Sequence, residues 1–449
     1  MGQPEPRKAE ANPTKNFFVR MITRDISLED CILDLIDNSV DGAWRSEGSR
    51  PMGLEQNTDL SKYEISITAS VKKFSIEDNC GGMTLDDAVN HAFSFGRRSD
   101  DAHDAYSIGV YGIGMKRAVF KLGKSIRIRS TYNGGSFAVP ISVDKWLEND
   151  TPPWDFDIEE DEPLSAKGVN ITVESLTSGA TAAFGNPAFI QNLRRTISRD
   201  YSLHINRGLK IFLNESQIPG WQIEMLEGAD FAPMRIEYAD EVEGDHVSVE
   251  IIGGMVAPPP ESADPDIVDE GEKRFGWYVV CNGRIVLAAD KTELSGWGTD
   301  EWPQWHRQYS GFIGIVLFTA AKATALPLTT TKRSVDPSSE VFRRAKPRMR
   351  EVTRKWIDYT NVRKQSLEEA KAAEGLARPV ALTSVVRLAE VRLPRLAARS
   401  AQRVANVSYS VPLPKLKDLA KAFGNINMPY REVGLMSFNY SYDDKVGDE

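Results

Sequence analysis

The most regular hydrophobic pattern of the chain lies between residues 28 and 43. Apolar residues recur there at helical spacing, namely Leu28, Ile32, Ile36, Val40 and Ala43. On a helix that turns about 100° per residue, polar residues occupy an opposite arc of about 80°, namely Asp30, Asp34, Asn38, Asp41 and Arg45. The pattern predicts an amphipathic helix capped by Ser27. Its polar row is either a solvated face or a place for a hydrated Mg²⁺, which prefers oxygen ligands.

Alternating apolar and polar residues predict strands in the rest of the first half. They occur at 63–69, 74–76, 125–129, 137–143, 169–173 and 209–213. Helical spacing returns at 186–201. This mixture predicts an α+β first domain over residues 1–215, with a largely antiparallel sheet.

A second α/β domain is predicted over residues 216–365. Asn282-Gly283 joins two β-rich runs and is a strong hairpin signal, and 312–318 is an almost wholly apolar strand. A long helix from about Ser338 carries an apolar stripe that includes Val341 and Trp356. Residues 366–449 have no assigned role. They are predicted to be mostly helical and basic, with a helical region at 376–404 and a terminal strand at 436–442.

The composition of the 449-residue chain is that of a soluble protein, and its net charge is −9. The sequence lacks an apolar run of the roughly 20 residues that span a bilayer, which predicts a cytoplasmic protein without a membrane segment. Three cysteines and five histidines are scattered, so reduced thiols are expected rather than disulfides or a metal cluster.

The charge is unevenly distributed. Residues 341–403 contain sixteen Lys or Arg against six Asp or Glu. The segment is either a set of solvated helix faces or a surface that faces an anion such as DNA.

Two glycine-containing stretches suggest ligand chemistry. In the first, Asp78 ends a predicted strand and Gly81 and Gly82 follow, so the backbone can approach a ligand closely while the carboxylate accepts hydrogen bonds. The same residues also fit a plain strand-to-helix turn, with Thr84 as the helix cap. In the second, glycines precede a helix, whose amides suit phosphate; this stretch runs from Gly109 to Lys116.

The three stretches, in this order and spacing, resemble the nucleotide site of the GHKL superfamily. Its members include DNA gyrase, the ninety-kilodalton heat-shock chaperones, histidine kinases, MutL and the MORC proteins. The resemblance covers roughly the first 215 residues. It implies a layered α/β sandwich ATPase domain that binds ATP with Mg²⁺.

The resemblance also implies roles for individual residues. Asn38 resembles the asparagine that coordinates Mg²⁺, and Asp41 the acidic residue one turn later. Asp78 resembles the aspartate that recognises the adenine amino group, and Gly82 the glycine that admits the base. The lid stretch matches the glycines whose amides hold the phosphates (Gly109, Gly112 and Gly114), followed by Lys116, which could neutralise phosphate charge. The neighbouring residues assigned to the nucleotide site are Met83, Tyr111, Ile113 and Met115.

Three positions depart from the family pattern. Asp34 stands where most ATP-hydrolysing members have the Glu that orients or deprotonates the attacking water, and its side chain is shorter by about 1.5 Å. Cys80 replaces the first glycine of its motif. Val169 replaces a threonine near the adenine. Because the side chain of Asp34 is short, hydrolysis is expected to be slow or to need a shift of the helix.

The second domain resembles the transducer domain of MutL, gyrase and MORC proteins. In those proteins a loop lysine reaches the γ-phosphate and acts by electrostatic stabilisation. Lys332 is the matching candidate, with Arg333 as its nearest rival and a solvated loop lysine as the plain alternative.

The expected function is that of an ATP-binding, slowly hydrolysing clamp or switch. ATP closes the lid and favours a homodimer, which acts on DNA through residues 341–403 in the manner of MORC-like proteins, some with bacterial defence roles. The alternatives are a chaperone-like ATPase acting on protein clients and an ATP switch that does not hydrolyse. A histidine-kinase-like phosphotransferase is less favoured because no histidine precedes the opening helix.

Overall fold

The computed structural model describes residues 13–54, 58–94, 105–109, 112–261, 273–299, 302–396 and 407–446. The chain divides into two compact units, Met1–Ala397 and Ala398–Glu449. The α+β class predicted from the sequence is confirmed. The predicted boundaries at residues 215 and 365 stay a prediction.

An eight-stranded sheet forms the centre of the first half. Its strands are β1 Glu64–Ala69, β2 Phe74–Asp78, β3 Gly123–Tyr132, β4 Gly135–Ser142, β5 Glu159–Glu160, β6 Gly168–Leu176, β7 Lys210–Leu213 and β8 Ser216–Gln217. The order is β5-β4-β3-β6-β2-β1-β7-β8. Every neighbouring pair is antiparallel except β1 and β7, which run parallel. The largely antiparallel sheet expected from the alternating pattern is therefore present.

Eight helices accompany this sheet in the described residues. They are α1 Lys15–Arg24, α2 Leu28–Ser46, α3 Leu85–Asp87, α4 Gly114–Leu122, α5 Val143–Leu147, α6 Ser178–Phe184, α7 Pro187–Asp200 and α8 Ser202–Ile205. The Ser27 hydroxyl caps α2 by accepting a hydrogen bond from the Asp30 amide. The predicted apolar stripe of α2 packs in one core with β1, β2 and α4. This packing places the opposite side of α2 against the functional cavity.

A five-stranded sheet forms the centre of the second half of the first unit. Its strands are β10 Met234–Val242, β11 Asp245–Met255, β12 Gly276–Cys281, β13 Arg284–Asp290 and β14 Phe312–Ala320, in the order β10-β11-β14-β12-β13. The Asn-Gly hairpin is confirmed, because Cys281 pairs with Arg284 across it. All nine residues of β14 are buried, as its apolar sequence predicts.

Helix α9 Glu340–Arg363 packs on this sheet. Its predicted stripe is buried along its whole length: Val341, Ala345, Met349, Val352 and Trp356. A Cβ added at Gly253 on β11 would lie 2.7 Å from Cγ1 of Val352, so the glycine lets the helix approach the strand closely. Helix α10 Leu367–Glu374 follows.

Two predictions for the C-terminal region are wrong. The described part of 376–404 holds a single 3-10 turn, Leu382–Ser384, and no α-helix. Strand β15 Arg378–Ala381 pairs with β9 Glu224–Glu227, and Leu388 and Arg392 form isolated β-bridges with Arg235 and Ala232. An extended chain is favoured there because its backbone N–H and C=O groups can pair with those of the neighbouring extended segments. Residues 397–404 lie outside the described residues.

The predicted terminal strand at 436–442 belongs instead to helix α12 Tyr430–Val446. A helix satisfies its own backbone hydrogen bonds, whereas a strand needs a neighbour. In the second unit α12 packs with α11 Leu413–Ala422 around Ala420, Met428 and Val433.

Several cations of the basic segment 341–403 are paired with acidic side chains of the first unit. Arg344 bonds Asp240 at 2.6 Å (Nη1 to Oδ1), and Lys355 bonds Glu390 at 2.5 Å (Nζ to Oε2). Arg363 and Glu374 form a buried pair. The positive charge of this segment is therefore partly neutralised within the protein.

Candidate nucleotide-binding site

A cavity of about 310 Å³ opens between α2, the end of β2, the N-terminus of α4 and the loop around Lys332. The predicted site residues within the described ranges all line it, namely Asp34, Asn38, Asp41, Asp78, Gly82, Met83, Gly109, Gly112, Ile113, Gly114, Met115, Lys116 and Lys332. Tyr111 lies outside the described residues. Residues that are distant in sequence thus meet around one space.

Asp78 lies at the end of β2 and accepts three hydrogen bonds. Its Oδ2 accepts a hydrogen bond from the Ser39 hydroxyl at 2.7 Å, and its Oδ1 accepts from the amides of Cys80 at 2.9 Å and Val169 at 3.3 Å. Burial raises the pKa of Asp78 even though these donors oppose the shift. At the position where family members have a threonine, this protein thus contributes the backbone amide of Val169, which donates to Asp78.

Sequence reasoning missed Ser39. Its hydroxyl lies one position after Asn38 on α2 and orients Asp78. The sequence does show a serine hydroxyl beside Asn38, and a hydroxyl of this kind can donate a hydrogen bond to a carboxylate. Its partner, however, became visible only in the fold.

The glycine turn after Asp78 has a steric requirement at Gly82. Its φ is +75°, and an added Cβ would lie 2.1 Å from the carbonyl oxygen of Thr131. The next residue, Met83, is clamped by Ser130, whose hydroxyl accepts from the Met83 amide at 2.8 Å and donates to its carbonyl at 2.9 Å. The cavity wall at this end is therefore rigidly set by β3.

Asp41 binds backbone of the lid stretch. Its Oδ1 accepts a hydrogen bond from the Ile108 amide at 2.7 Å, and its Oδ2 accepts from the Gly109 amide at 3.0 Å. Burial raises the pKa of Asp41 to about 7, although both amides oppose the shift. Asp41 therefore anchors the start of the glycine-containing segment.

Helix α4 presents its N-terminus to the cavity. Its N-cap, Ile113, makes no side-chain capping bond, and Gly112 has a φ of +65°, which turns the chain into the helix. Amides of a first helical turn have no partner within the helix and favour anions. These amides are the best place around this cavity for a phosphate.

The ammonium group of Lys116 donates hydrogen bonds to backbone carbonyl oxygens. Its Nζ donates to the carbonyl oxygens of Ala92 at 2.7 Å and Ser94 at 2.6 Å. Burial lowers the pKa of Lys116 to about 7. In this conformation the lysine joins α4 to the chain that precedes the lid stretch.

The polar row of α2 is buried at Asp34, although Asn38 and Arg45 in the same row are exposed. Asp34 is 2% exposed, and its Oδ2 accepts from Nη2 and Nε of Arg117 at 2.6 and 2.7 Å. Its Oδ1 lies 3.3 Å from Nζ of Lys332. Both cations come from elements that are remote in sequence. The carboxylate that was expected to activate water is therefore part of a buried cluster of ion pairs.

Asp37, one turn from Asp34 and Asp41, is a residue that sequence reasoning missed. It is fully buried, and its Oδ2 accepts from Nζ of Lys332 at 2.8 Å and Nη1 of Arg284 at 2.9 Å. Its Oδ1 accepts from the Tyr201 hydroxyl at 2.7 Å. Burial opposes ionisation of Asp37, but the two cations outweigh it and lower its pKa. The pattern placed this residue between the two helix faces, so nothing in the sequence singled it out.

The loop that carries Lys332 is docked on α2. Arg333 bonds Glu29, Asp30 and, at 3.1 Å, Oδ2 of Asp200. Lys332 itself lines the cavity, whereas Arg333 bonds carboxylates of α2 and α7 that do not line it. The geometry thus separates the two rival cations: Lys332 faces the cavity and Arg333 holds the loop.

The residues present fit a Mg²⁺ ion brought in by phosphates. Among the described residues, no group of three or more His, Cys, Asp or Glu could hold a metal by itself. Asn38 is exposed into the cavity and offers an amide oxygen. One protein oxygen plus phosphates and waters is a usual Mg²⁺ environment.

Comparison with known proteins identifies the domain that this fold and site define. Residues 26–161 match the family described as histidine kinase-, DNA gyrase B-, and HSP90-like ATPase. This stretch of the chain is therefore a GHKL-type ATPase domain, of a kind that binds ATP. No curated protein matches the chain significantly. Within the described residues, the helices are all too short or too polar to cross a bilayer.

Proposed function

We propose that the protein is a Mg²⁺-dependent ATPase in which nucleotide binding is read by the second domain through Lys332. One observation carries the proposal: Asp78, Asn38, the N-terminus of α4 and Lys332 line the same cavity. In this proposal the Asp78 carboxylate recognises the base and Asn38 is the metal ligand. The amides of α4 bind phosphate, and Lys332 supplies a cation.

Asp78 and Gly82 take the adenine end in this assignment. The Asp78 carboxylate keeps acceptor capacity for an amino group, since a carboxylate has about four lone-pair sites and three donors contact it. Gly82 leaves room beside the β3 backbone. The amides of Gly112 to Gly114 would bind phosphate oxygens, and Asn38 would hold Mg²⁺, whose charge would neutralise that of the phosphates.

Asp34 is the proposed general base or water-orienting residue. In the observed geometry its Oδ2 is occupied by Arg117, and its Oδ1 is shared with Lys332. Movement of Lys332 to the terminal phosphate therefore leaves Oδ1 able to accept a hydrogen bond from water. The short side chain and the Arg117 bond both favour slow turnover.

Nucleotide-dependent dimerisation completes the proposed cycle. Because Arg117 on α4 also donates to the carbonyl oxygen of Thr330 at 3.4 Å, a shift of α4 is transmitted to the Lys332 loop. ATP would close the lid and favour a homodimer that acts as a clamp, and hydrolysis would release it. A chaperone-like client role and a non-hydrolysing switch are the alternatives.

Single-turnover hydrolysis tests the enzymatic part. We expect Asp34→Ala to bind Mg·ATP and dimerise, as followed by sedimentation, but not to turn over. Asp144→Ala is the matched control, since that carboxylate forms an exposed pair with Lys124. Equal hydrolysis by wild type and Asp34→Ala would show that Asp34 is not the base. No hydrolysis by the wild type, with dimerisation intact, would favour the non-hydrolysing switch.

Equilibrium binding tests the site assignment. We expect Asp78→Asn to abolish ATP binding, because the amide presents a donor where the adenine amino group needs an acceptor. Unchanged affinity in that variant would contradict the whole assignment.

A further inference from the structure

Three cations face two carboxylates where α2, α4, the β12–β13 hairpin and the Lys332 loop meet. Arg117 pairs with Asp34, and Arg284 pairs with Asp37. Lys332 contacts both carboxylates. All five side chains are less than one-tenth exposed. Each carboxylate therefore has its own guanidinium, and Lys332 is a shared third cation.

The neighbouring acidic groups have partners of their own. Asp200 is bonded by Nε of Arg199 at 2.6 Å and by Arg333. Asp41 is bonded by backbone amides of the lid stretch. When Lys332 leaves, Asp34 and Asp37 each keep a guanidinium partner of their own.

We propose that Arg284 is a positioning residue that sets how readily Lys332 leaves Asp37 for the terminal phosphate of ATP. The proposal rests on the proposed function of Lys332. Removing one partner of a buried pair leaves an uncompensated charge, which is strongly unfavourable. With Arg284 in place, Asp37 keeps a cation when Lys332 moves. Without Arg284, Asp37 depends on Lys332, and the lysine is retained away from the cavity.

Arg284 is built to stay where it is. It follows the hairpin turn and is 1% exposed, and its guanidinium lies 5.6 Å from the ring centroid of Tyr201. The Tyr201 hydroxyl donates to the other oxygen of Asp37. By contrast Lys332 has a φ of +56°, a left-handed conformation that costs a non-glycine residue energy. Arg284 is therefore expected to stay bound to Asp37, whereas Lys332 is the residue expected to move.

The same hairpin also holds the lid stretch. Nδ2 of Asn282 donates to the carbonyl oxygen of Ser107 at 2.9 Å, next to the Ile108 and Gly109 amides that bind Asp41. The Arg284 hairpin therefore contacts Asp37 of α2 and also the start of the lid stretch.

The test is the preference of the full chain for a triphosphate over a diphosphate, which needs no hydrolysis. The probes are β,γ-imido-ATP and ADP with Mg²⁺, and the readout is the ratio of their dissociation constants. The variants are Lys332→Gln, Arg284→Gln, Arg284→Lys and the double variant Arg284→Gln/Asp37→Asn. Arg363→Gln is the matched control, because Arg363 forms a buried pair with Glu374 away from the cavity.

We expect Arg284→Gln to lower the triphosphate preference about tenfold with ADP affinity unchanged, a typical size for coupling between sites. The double variant should restore the preference, because Asp37 no longer retains Lys332. Arg284→Lys should stay close to wild type, and Arg363→Gln should leave the ratio unchanged. A purely structural role for Arg284 predicts no rescue in the double variant.

The two proposals fail differently. An unchanged ratio in Lys332→Gln would overturn the role of Lys332 and this inference with it. A lowered ratio in Lys332→Gln, together with an unchanged ratio in Arg284→Gln or no rescue in the double variant, would overturn the inference alone. Should Arg284→Gln not fold, a double variant that folds and binds less triphosphate than wild type would also overturn it.

Discussion

The carboxylate of Asp34 and the guanidinium of Arg117 form a buried ion pair that joins α2 to α4. Oδ2 of Asp34 lies 2.6 Å from Nη2 and 2.7 Å from Nε of Arg117. A Cβ added at Gly114 would lie 3.4 Å from Cγ of Asp34, so the first turn of α4 is already in contact with this carboxylate. The short acidic side chain is therefore matched to a close approach of the two helices.

We expect Arg117→Gln to lower the free energy of unfolding by about 3 kcal/mol, because it leaves Asp34 buried with only the shared lysine. Chemical denaturation measures this loss. Arg127→Gln is the control, since this arginine is 43% exposed and its pairs with Glu159 and Asp161 are of the exposed kind that contributes about 1 kcal/mol or less. Equal losses in the two variants would contradict the importance assigned to the buried pair.

Gly82→Ala should abolish nucleotide binding and destabilise the fold. The added methyl group would meet the Thr131 carbonyl at 2.1 Å in a left-handed backbone conformation, so β3 or the turn must move. Calorimetric binding and thermal unfolding measure the two effects. Gly179→Ala is the control, because nothing lies within 4 Å of its Cβ position in α6, and there alanine should stabilise by about 0.5–1 kcal/mol. Normal ATP affinity in Gly82→Ala would mean that the turn can rearrange.

The elevated pKa of Asp41, about 7, predicts a pH-dependent stability. Between its unfolded value near 4 and about 7, the folded state binds a proton that the unfolded state has released, so stability falls as pH rises. We expect the difference in free energy of unfolding between wild type and Asp41→Asn to drop by about 3 kcal/mol from pH 5 to pH 8, since asparagine does not titrate. Denaturation at both pH values measures it. A difference independent of pH would show that Asp41 titrates at an ordinary value.

DNA contact through residues 341–403 is tested by two arginines of α9. Arg343 and Arg354 are exposed, and at about 100° per residue they lie on one stripe of the helix. If this segment contacts DNA, affinity falls steeply with salt and Arg343→Glu/Arg354→Glu weakens it further. Fluorescence anisotropy across a salt series measures both. Salt-insensitive binding, or none at low salt, would remove DNA from the function.

Much of the fold follows from local pattern in the sequence. The spacing of Ile32, Ile36 and Val40 specifies helix α2, and the Asn282-Gly283 pair specifies the β12–β13 hairpin, because periodicity and turn chemistry act over a few residues. The glycine stretches also indicated where the cavity lies. The pattern failed at 436–442, where seven alternating residues suit either a helix or a strand and the surroundings decide.

What the tertiary structure alone decided is which charges meet. Asp34 and Asp37 are the same residue type, one turn apart on the same helix. Asp34 nevertheless binds Arg117 and Asp37 binds Arg284. Both contact Lys332, which lies some 300 residues further along the chain. A hydrophobic stripe shows which side of a helix is buried, but it cannot show what covers the polar side. Burial of these carboxylates depends on cations from distant elements, since an unpaired charge would not remain buried. The helix was therefore determined by its own sequence, and its chemistry by the cations that α4, the β12–β13 hairpin and the Lys332 loop bring to it.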